Sequence, residues 1–194
     1  MSDAREASAQ AAALGFPVSM KVMGEQFFHK SDVGGVMLDL NSEAEVGKAY
    51  ERLTTLIEQT DPEGKERSIL VQKMISEGHE VLVGGKQDST FGPIVLVGLG
   101  GVYVEVFGDV ALRIAPVSAV EARKMFTEIR GGKLLEGVRG QPPADLETLV
   151  TMSQRISQLM CDLPQIKELD LNPIKILPQG QGCFAVDCRM ILAD

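Results

Sequence analysis

Two short segments hold the side chains with the most to offer chemically. The first, His29-Lys30-Ser31-Asp32-Val33-Gly34-Gly35-Val36, combines an imidazole, an ammonium group and two adjacent glycines. Without a Cβ at Gly34 and Gly35, backbone N–H groups can turn toward a polyphosphate. A neutral imidazole, with a reference pKa of about 6.5, is also a competent nucleophile toward a phosphoryl group. The spacing is not that of a GxxxxGK[ST] phosphate loop, and a plain hairpin turn with a lysine at its rim explains the same letters. In the second segment, Glu168, Asp170 and Asn172 alternate along ELDLN and point to one face of a strand. Asp187 follows in AVDCR, and a hairpin through residues 179–182 would set it beside Asn172. Oxygen ligands from neighbouring strands, with positions left for water and phosphate, are how Mg²⁺ is usually held. The plainer alternative is the polar face of an exposed sheet, although Asp187 between Val186 and Cys188 is an awkward place for an idle charge.

Lys21 emerges from the apolar run FPVSMKVM, and Arg113 from the middle of ALRIAP. Either is a candidate phosphate contact or a cation snorkelling at the edge of a core. His79 follows Glu77-Gly78 at a turn and is assigned no role. The nine methionines are scattered at core spacing and read as packing.

The elements that must position these groups are legible in outline. An Ala-rich helix over Ser2 to Leu14 stops at Gly15, and Phe16 to Met23 is a buried strand. After the glycine-containing stretch Gly24 to Gly35 comes a second strand, Val36 to Leu40, so that the loop joins a hairpin. Asn41 or Ser42 caps a helix whose apolar face is Val46, Ala49, Tyr50, Leu53, Leu56 and Ile57, and which ends at Asp61-Pro62-Glu63-Gly64. ILVQKMI, EVLVGGK and PIVLVGLG then read as a meander, with further strands at Val102 to Phe107 and Ala111 to Ala115. Pro116-Val117-Ser118 opens a helix to about Arg130. Another runs from about Ala144 to Met160 behind Pro142-Pro143, with Asp145 and Glu147 at the end the macrodipole favours. The tail is β again: IKELDL, PIKIL and CFAVDCRMI. The whole is a mixed α/β architecture without an internal repeat.

Composition sets limits on function. A chain of 194 residues with 44% hydrophobic side chains can bury a core without staples. Its 19 basic against 27 acidic residues, a net charge of −8, argue against nucleic acid or an anionic membrane as the main partner. An acidic chain that handles phosphates needs Mg²⁺. Cys161, Cys183 and Cys188 form no CxxC pair, and the first twenty residues lack the basic start and apolar run of a signal peptide. A cytoplasmic protein is the expectation.

Taken in order, HKSDVGGV (His29 to Val36), GHEVLVGGKQDSTFGPIVLVGLGG (Gly78 to Gly101), LRIAP (Leu112 to Pro116), LLEGVRG (Leu134 to Gly140), ELDLNPI (Glu168 to Ile174) and AVDCR (Ala185 to Arg189) closely resemble one family. It is the ATP-grasp domain of the ADP-forming acyl-CoA synthetases, as in the β subunit of ADP-forming acetyl-CoA synthetase. The match runs from about residue 7 to the last strand. The resemblance implies an ATP-grasp fold of two lobes, N-terminally truncated, because the family usually has a further helix and strand ahead of the first helix here. A nucleotide-side lobe would span about residues 1–72 and a metal-binding lobe about 73–194. By the same resemblance, Lys21 would touch ATP phosphates, Gly34 and Gly35 would lie in the loop over them, and Gln72, Lys73 and Met74 would meet the adenine. Glu80 would meet the ribose, while Asp170, Asn172 and Asp187 would bind Mg²⁺. His29 would accept a phosphoryl group, and Arg113 is taken as a third positive contact. GEQFFHK departs from the family's usual entry to that loop, where Ser-Pro or a similar pair precedes Ile.

The chemistry so implied interconverts acid, CoA and ATP with acyl-CoA, ADP and phosphate through acyl phosphate and phosphohistidine. Nothing in the chain resembles the CoA-binding and ligase domains, so the resemblance implies a component that works with such a partner, as a separate subunit or as the rest of a longer chain. One rival is a regulatory or degenerate ATP-grasp-like module of a protein lysine acyltransferase. Another is a succinyl-CoA synthetase-type β subunit, which the HKSD loop resembles less.

Overall fold

The computed structural model describes residues 3–24, 27, 34–60, 68–100, 108–138 and 140–193. The chain divides into two compact units, Met1–Met74 and Ile75–Asp194.

In the first unit, helix α1 (Ala4–Leu14) is capped by Asp3, whose carboxylate accepts from the Glu6 N–H at 2.8 Å. Strands β1 (Val18–Met23), β2 (Val36–Leu40) and β3 (Ser68–Lys73) form a sheet in the order β2-β1-β3. Helix α2 (Glu43–Thr60) starts at Ser42, whose hydroxyl accepts from the Glu45 N–H at 3.3 Å. Val46, Ala49, Leu53 and Ile57 of α2 and Ala7 and Ala11 of α1 pack on Val18, Met20 and Val22 of β1 and on Ile69 and Val71 of β3. Period-two alternation therefore divides this sheet: one face meets the helices, and Ser19 and Lys21 leave on the other.

The second unit has a larger sheet. Strands β4 (His79–Asp88), β5 (Gly92–Leu99) and β6 (Val110–Ile114) form an antiparallel meander, and β7 (Ile166–Ile176) pairs with β4 on the other side. Beyond β7 lie two short strands, β8 (Cys183–Ala185) and β9 (Cys188–Leu192), each antiparallel to it. Helix α3 (Ala119–Glu128) begins with a Ser118–Glu121 capping box, a 3-10 helix covers Arg130–Glu136, and α4 (Leu146–Asp162) follows. Met125, Phe126, Leu149, Val150, Ile156 and Met160 of the helices cover one face of this sheet through Val81, Val83, Val95, Val97 and Leu169.

Several expectations are corrected. The run ILVQKMI pairs with β1 rather than joining the meander, which is β4-β5-β6. The reason is packing: Ile69 and Val71 belong to the core beneath α1 and α2, and nothing local to a strand names its partner. IKELDL and PIKIL are one strand with an irregularity near Asn172-Pro173, and CFAVDCRMI is interrupted at Val186-Asp187. Arg130–Glu136 was not foreseen as helical. The strand expected at Val102 to Phe107 lies outside the described residues, as does the helix stop at Asp61-Pro62-Glu63-Gly64.

Asp145 does more than face a helix dipole. Buried at the start of α4, its carboxylate accepts from the N–H groups of Thr148 (3.3 Å), Gly180 (3.1 Å) and Gly182 (2.9 Å). These donors, Gly182 above all, hold its pKa below the usual carboxylate range. It thus anchors the turn that delivers β8 and β9 to β7. Asp145→Ala should cost about 2 to 3 kcal/mol of unfolding free energy by denaturant titration. Because the folded pKa is lowered, the ionised group's contribution is complete above its unfolded pKa of about 3.9 and fades as pH falls through the folded value. Asp145→Asn should therefore flatten that part of the acid limb of the stability curve.

Candidate functional site

In the second sheet, register decides which side chains share a face. Asp170 pairs with Gly84, Gly84 with Leu96, and Leu96 with Leu112, so these residues form one row across β7, β4, β5 and β6. The next row on the same face is Glu168, Lys86, Ile94 and Ile114. The intervening row, Leu169, Gly85, Val95 and Arg113, points to the helices. The Asp170 face lies away from the helices and is open toward β6: Val110, Leu112 and Ile114 are exposed on it and Ile94 and Leu96 half-buried, while Leu82 on β4 is buried. Apolar rows run toward β6, and charged groups gather at β7 and β9.

Register also supplies the convergence expected of the tail. Leu171 pairs with Cys188 and Ile174 with Ala185, and the Val186 N–H donates to the Pro173 carbonyl at 2.9 Å. Between these points Asn172 stands opposite Asp187. Asp187 is not mid-strand as expected but in the break between β8 and β9. The physical reason lies across the ladder at Pro173: proline has no N–H to donate, and the β7 register slips there against β4. Arg189 pairs directly with Asp170.

The electrostatics agree with this placement. Partial burial raises the Asp170 carboxyl pKa; Glu168 adds to the rise, Arg189 opposes it and Asp187 adds again. The Cys188 thiol is pushed up first by burial, then by Asp187 and Asp170 together. Among the described residues, no three His, Cys, Asp or Glu side chains form a metal cage by themselves. Two crowded carboxylates and the amide oxygen of Asn172 are instead an open set of hard donors. That set fits Mg²⁺, which keeps several positions for water and phosphate and would relieve the like-charge crowding.

Elsewhere the expected residues fall as follows. Glu80 is on the same face of β4 as Gly84, about 13 Å along the strand, and its Oε1 is 2.9 Å from the Lys175 ammonium. Arg113 is on the helix-covered face, where its Nη2 donates to both Glu128 carboxylate oxygens at 2.6 Å and Nη1 to the Leu112 carbonyl at 2.8 Å. The structure does not bring Arg113 to the Asp170 face. In the first unit, Lys21 is 4% exposed and stands between Val36 and Leu70 on the face away from the helices. Gln72, opposite Ser19, shares that face. Lys73 is exposed opposite Val18. The Met74 N–H donates to the Pro17 carbonyl at 3.1 Å, and its sulfur accepts from the Asp39 N–H at 3.1 Å. Gly34 has φ +74, which suits glycine, and the Gly35 carbonyl accepts from Val22 N–H at 2.9 Å. His29 lies outside the described residues. Sequence reasoning missed Arg189, although its place two residues after Asp187 is the period-two signal that puts both on one face.

Residues 1–192 match the ATP-grasp domain family. The 4-hydroxybutyrate–CoA ligase (ADP-forming) of Nitrosopumilus maritimus is 40% identical over 185 residues, 95% of this chain but 26% of that protein. The chain thus spans about a quarter of that relative's length. The β subunit of acetate–CoA ligase (ADP-forming) II of Pyrococcus furiosus is 41% identical over 188 residues, 96% of this chain and 80% of the subunit. Among solved structures, the dinucleotide-forming acetyl-coenzyme A synthetase 1 of Ca. Korarchaeum cryptofilum, with coenzyme A and Ca-AMPCP, has a TM-score of 0.90 and 39% identity, covering 100% of this chain and 83% of that one. Its complex with coenzyme A and Mg-AMPPCP, described with a phosphohistidine segment pointing towards the nucleotide-binding site, has a TM-score of 0.81 and 40% identity, covering 97% and 82%.

The pairing of Arg113 makes its removal a matter of stability alone. Its side chain is 30% exposed and that of Glu128 48%, so Arg113→Gln should lower unfolding free energy by at most about 1 kcal/mol. Titration with Mn²⁺ should give the parent's affinity; a weakened ion would return Arg113 to the open face.

Proposed function

The chain belongs to the ATP-grasp family, in its ADP-forming acyl-CoA synthetase branch, and from that premise we propose that it binds Mg·ATP and exchanges the γ-phosphoryl group with a CoA-ligase partner. In the proposed division of labour, Met1–Met74 is the nucleotide-side unit and Ile75–Asp194 the metal-binding unit. The observation that carries the reading is the placement of Asp187 opposite Asn172, beside Asp170, on the face of the second sheet away from its helices.

Asp170, Asn172 and Asp187 would hold Mg²⁺, which supplies positive charge to the phosphate oxygens. Lys21 adds a fixed ammonium to the phosphates, and Gly34-Gly35 offers backbone N–H groups without side-chain obstruction. Gln72, Lys73 and Met74 meet the adenine, their backbone fixed by β3 and by the Met74–Pro17 bond. Glu80, steadied by Lys175, takes the ribose hydroxyls. His29 receives the γ-phosphoryl group: a phosphorus–nitrogen bond forms as the bond to the departing ADP oxygen breaks, and the imidazole proton leaves to solvent. The group passes to a histidine of the partner, and the sequence runs in reverse when acyl-CoA, ADP and phosphate are supplied. Most of the acceleration comes from placing positive charge where the transferred oxygens gather negative charge.

Calorimetric titration with ATP should show binding that depends on Mg²⁺. Asp187→Asn should weaken it by on the order of 2 kcal/mol through loss of a charged ligand. Equal affinity with and without the metal would mark a degenerate module instead. With ADP and a phosphorylated ligase partner, the chain should yield ATP. His29→Ala should suppress that yield while ATP affinity is kept; an unchanged rate would leave His29 as a loop residue.

A further inference from the structure

We propose that Arg189 is the arginine of the second unit that meets the nucleotide's phosphate oxygens. The inference rests on the Mg·ATP reading above. Two carboxylates and a nucleoside triphosphate bring more negative charge than one divalent ion offsets, so the face that holds them needs a fixed cation as well.

The described strands of the second sheet carry Lys86, Arg113, Lys167, Lys175 and Arg189 as basic residues. Arg113 points to the helices and is held by Glu128. Lys175 is on the open face but paired with Glu80, at the other end of the strand pair from Asp170. Lys86 stands opposite Glu168, one row beyond. Lys167 precedes Glu168 at the far end of β7, next to the register slip between Ile166 and Glu168. Arg189 alone pairs directly with Asp170, and it follows Asp187 by two residues, so its side chain leaves the sheet on their side.

Side chains directly opposite one another start about 5 Å apart, and an exposed arginine is long enough to extend beyond a neighbouring carboxylate toward a phosphate. Arg189 already has a partner within the chain. With five N–H donors in a planar fork, it can keep one partner and still grip a phosphate through two parallel bonds, which a lysine cannot do. The arrangement also fits a mobile phosphoryl group: the guanidinium stays charged throughout, so the positive field persists as the group arrives and leaves.

The test uses the full chain and two titrations, Mg·ATP by calorimetry and Mn²⁺ alone by its paramagnetic resonance signal. Arg189→Gln should weaken Mg·ATP by about tenfold or more while Mn²⁺ alone binds as in the parent or more tightly, since a neighbouring positive charge is gone. Arg189→Lys should recover part of the loss, which a purely structural role would not require. Arg123→Gln, the same charge change on a helix, should alter neither. Should Arg189→Gln keep the parent's Mg·ATP affinity while Asp187→Asn loses it, the role given to Arg189 is wrong and the nucleotide reading stands. A parent chain without Mg·ATP affinity overturns both. Loss of Mn²⁺ alone in both Arg189 variants would show that the residue supports the carboxylates and does not meet phosphate.

Discussion

Strand β7 is hydrogen-bonded on both edges, and its two registers fix the chemistry of the second unit. Toward β4 the pairing sets the rows that send Leu169 to the helices and Asp170 to the open face. Toward β8 and β9 the pairing puts Asp187 against Asn172 and Arg189 against Asp170. A slip of one residue on either side would turn the carboxylates into the helix layer and the leucines outward, at a cost in burial that no polar contact could offset. The apolar alternation that builds the core is thus also what aims the charged groups. The irregularity at Asn172-Pro173 departs from that alternation, and it falls among the proposed ligands, where bulges commonly re-aim side chains.

The hairpin that carries Asp187 needs its own anchor, because β8 is short and a three-residue strand holds register weakly. Asp145 supplies it from a different layer. One buried carboxylate caps α4 and takes the N–H groups of Gly180 and Gly182, while the Asp145 N–H donates to the Leu177 carbonyl at 2.9 Å and Gln179 N–H to Pro143 at 2.9 Å. Helix, turn and strand therefore share one polar knot. Packing of α4 on the sheet, through Leu149, Ile156 and Met160, is coupled to the placement of the last strands.

Much of this was legible in the letters. Helix α2 shows its inner face through Val46, Ala49, Leu53 and Ile57, and Pro116-Val117-Ser118 announces a helix start, because both patterns are local. Alternation along ELDLN and the turn before CFAVDCR sufficed to bring Asp170, Asn172 and Asp187 to one neighbourhood. What failed was non-local. The partner of β3 depends on which core receives Ile69 and Val71, and the face of Arg113 depends on the register of three strands in succession. ALRIAP displays a charge among apolar residues without showing that Glu128, on a following helix, waits on the same side. Arg189 was overlooked for the opposite reason: its parity with Asp187 was visible, but an arginine near a chain end looks like ordinary surface.

The uncovered rows toward β6 have a consequence for handling the protein. Val110, Leu112 and Ile114 are 39%, 51% and 59% exposed, with Ile94 and Leu96 next to them, which makes a greasy strip on a molecule that is otherwise acidic. Mutual repulsion from a net charge of −8 keeps such strips apart in neutral solution. Acidification toward the isoelectric point near 4.9 removes that repulsion and leaves the strip to drive self-association.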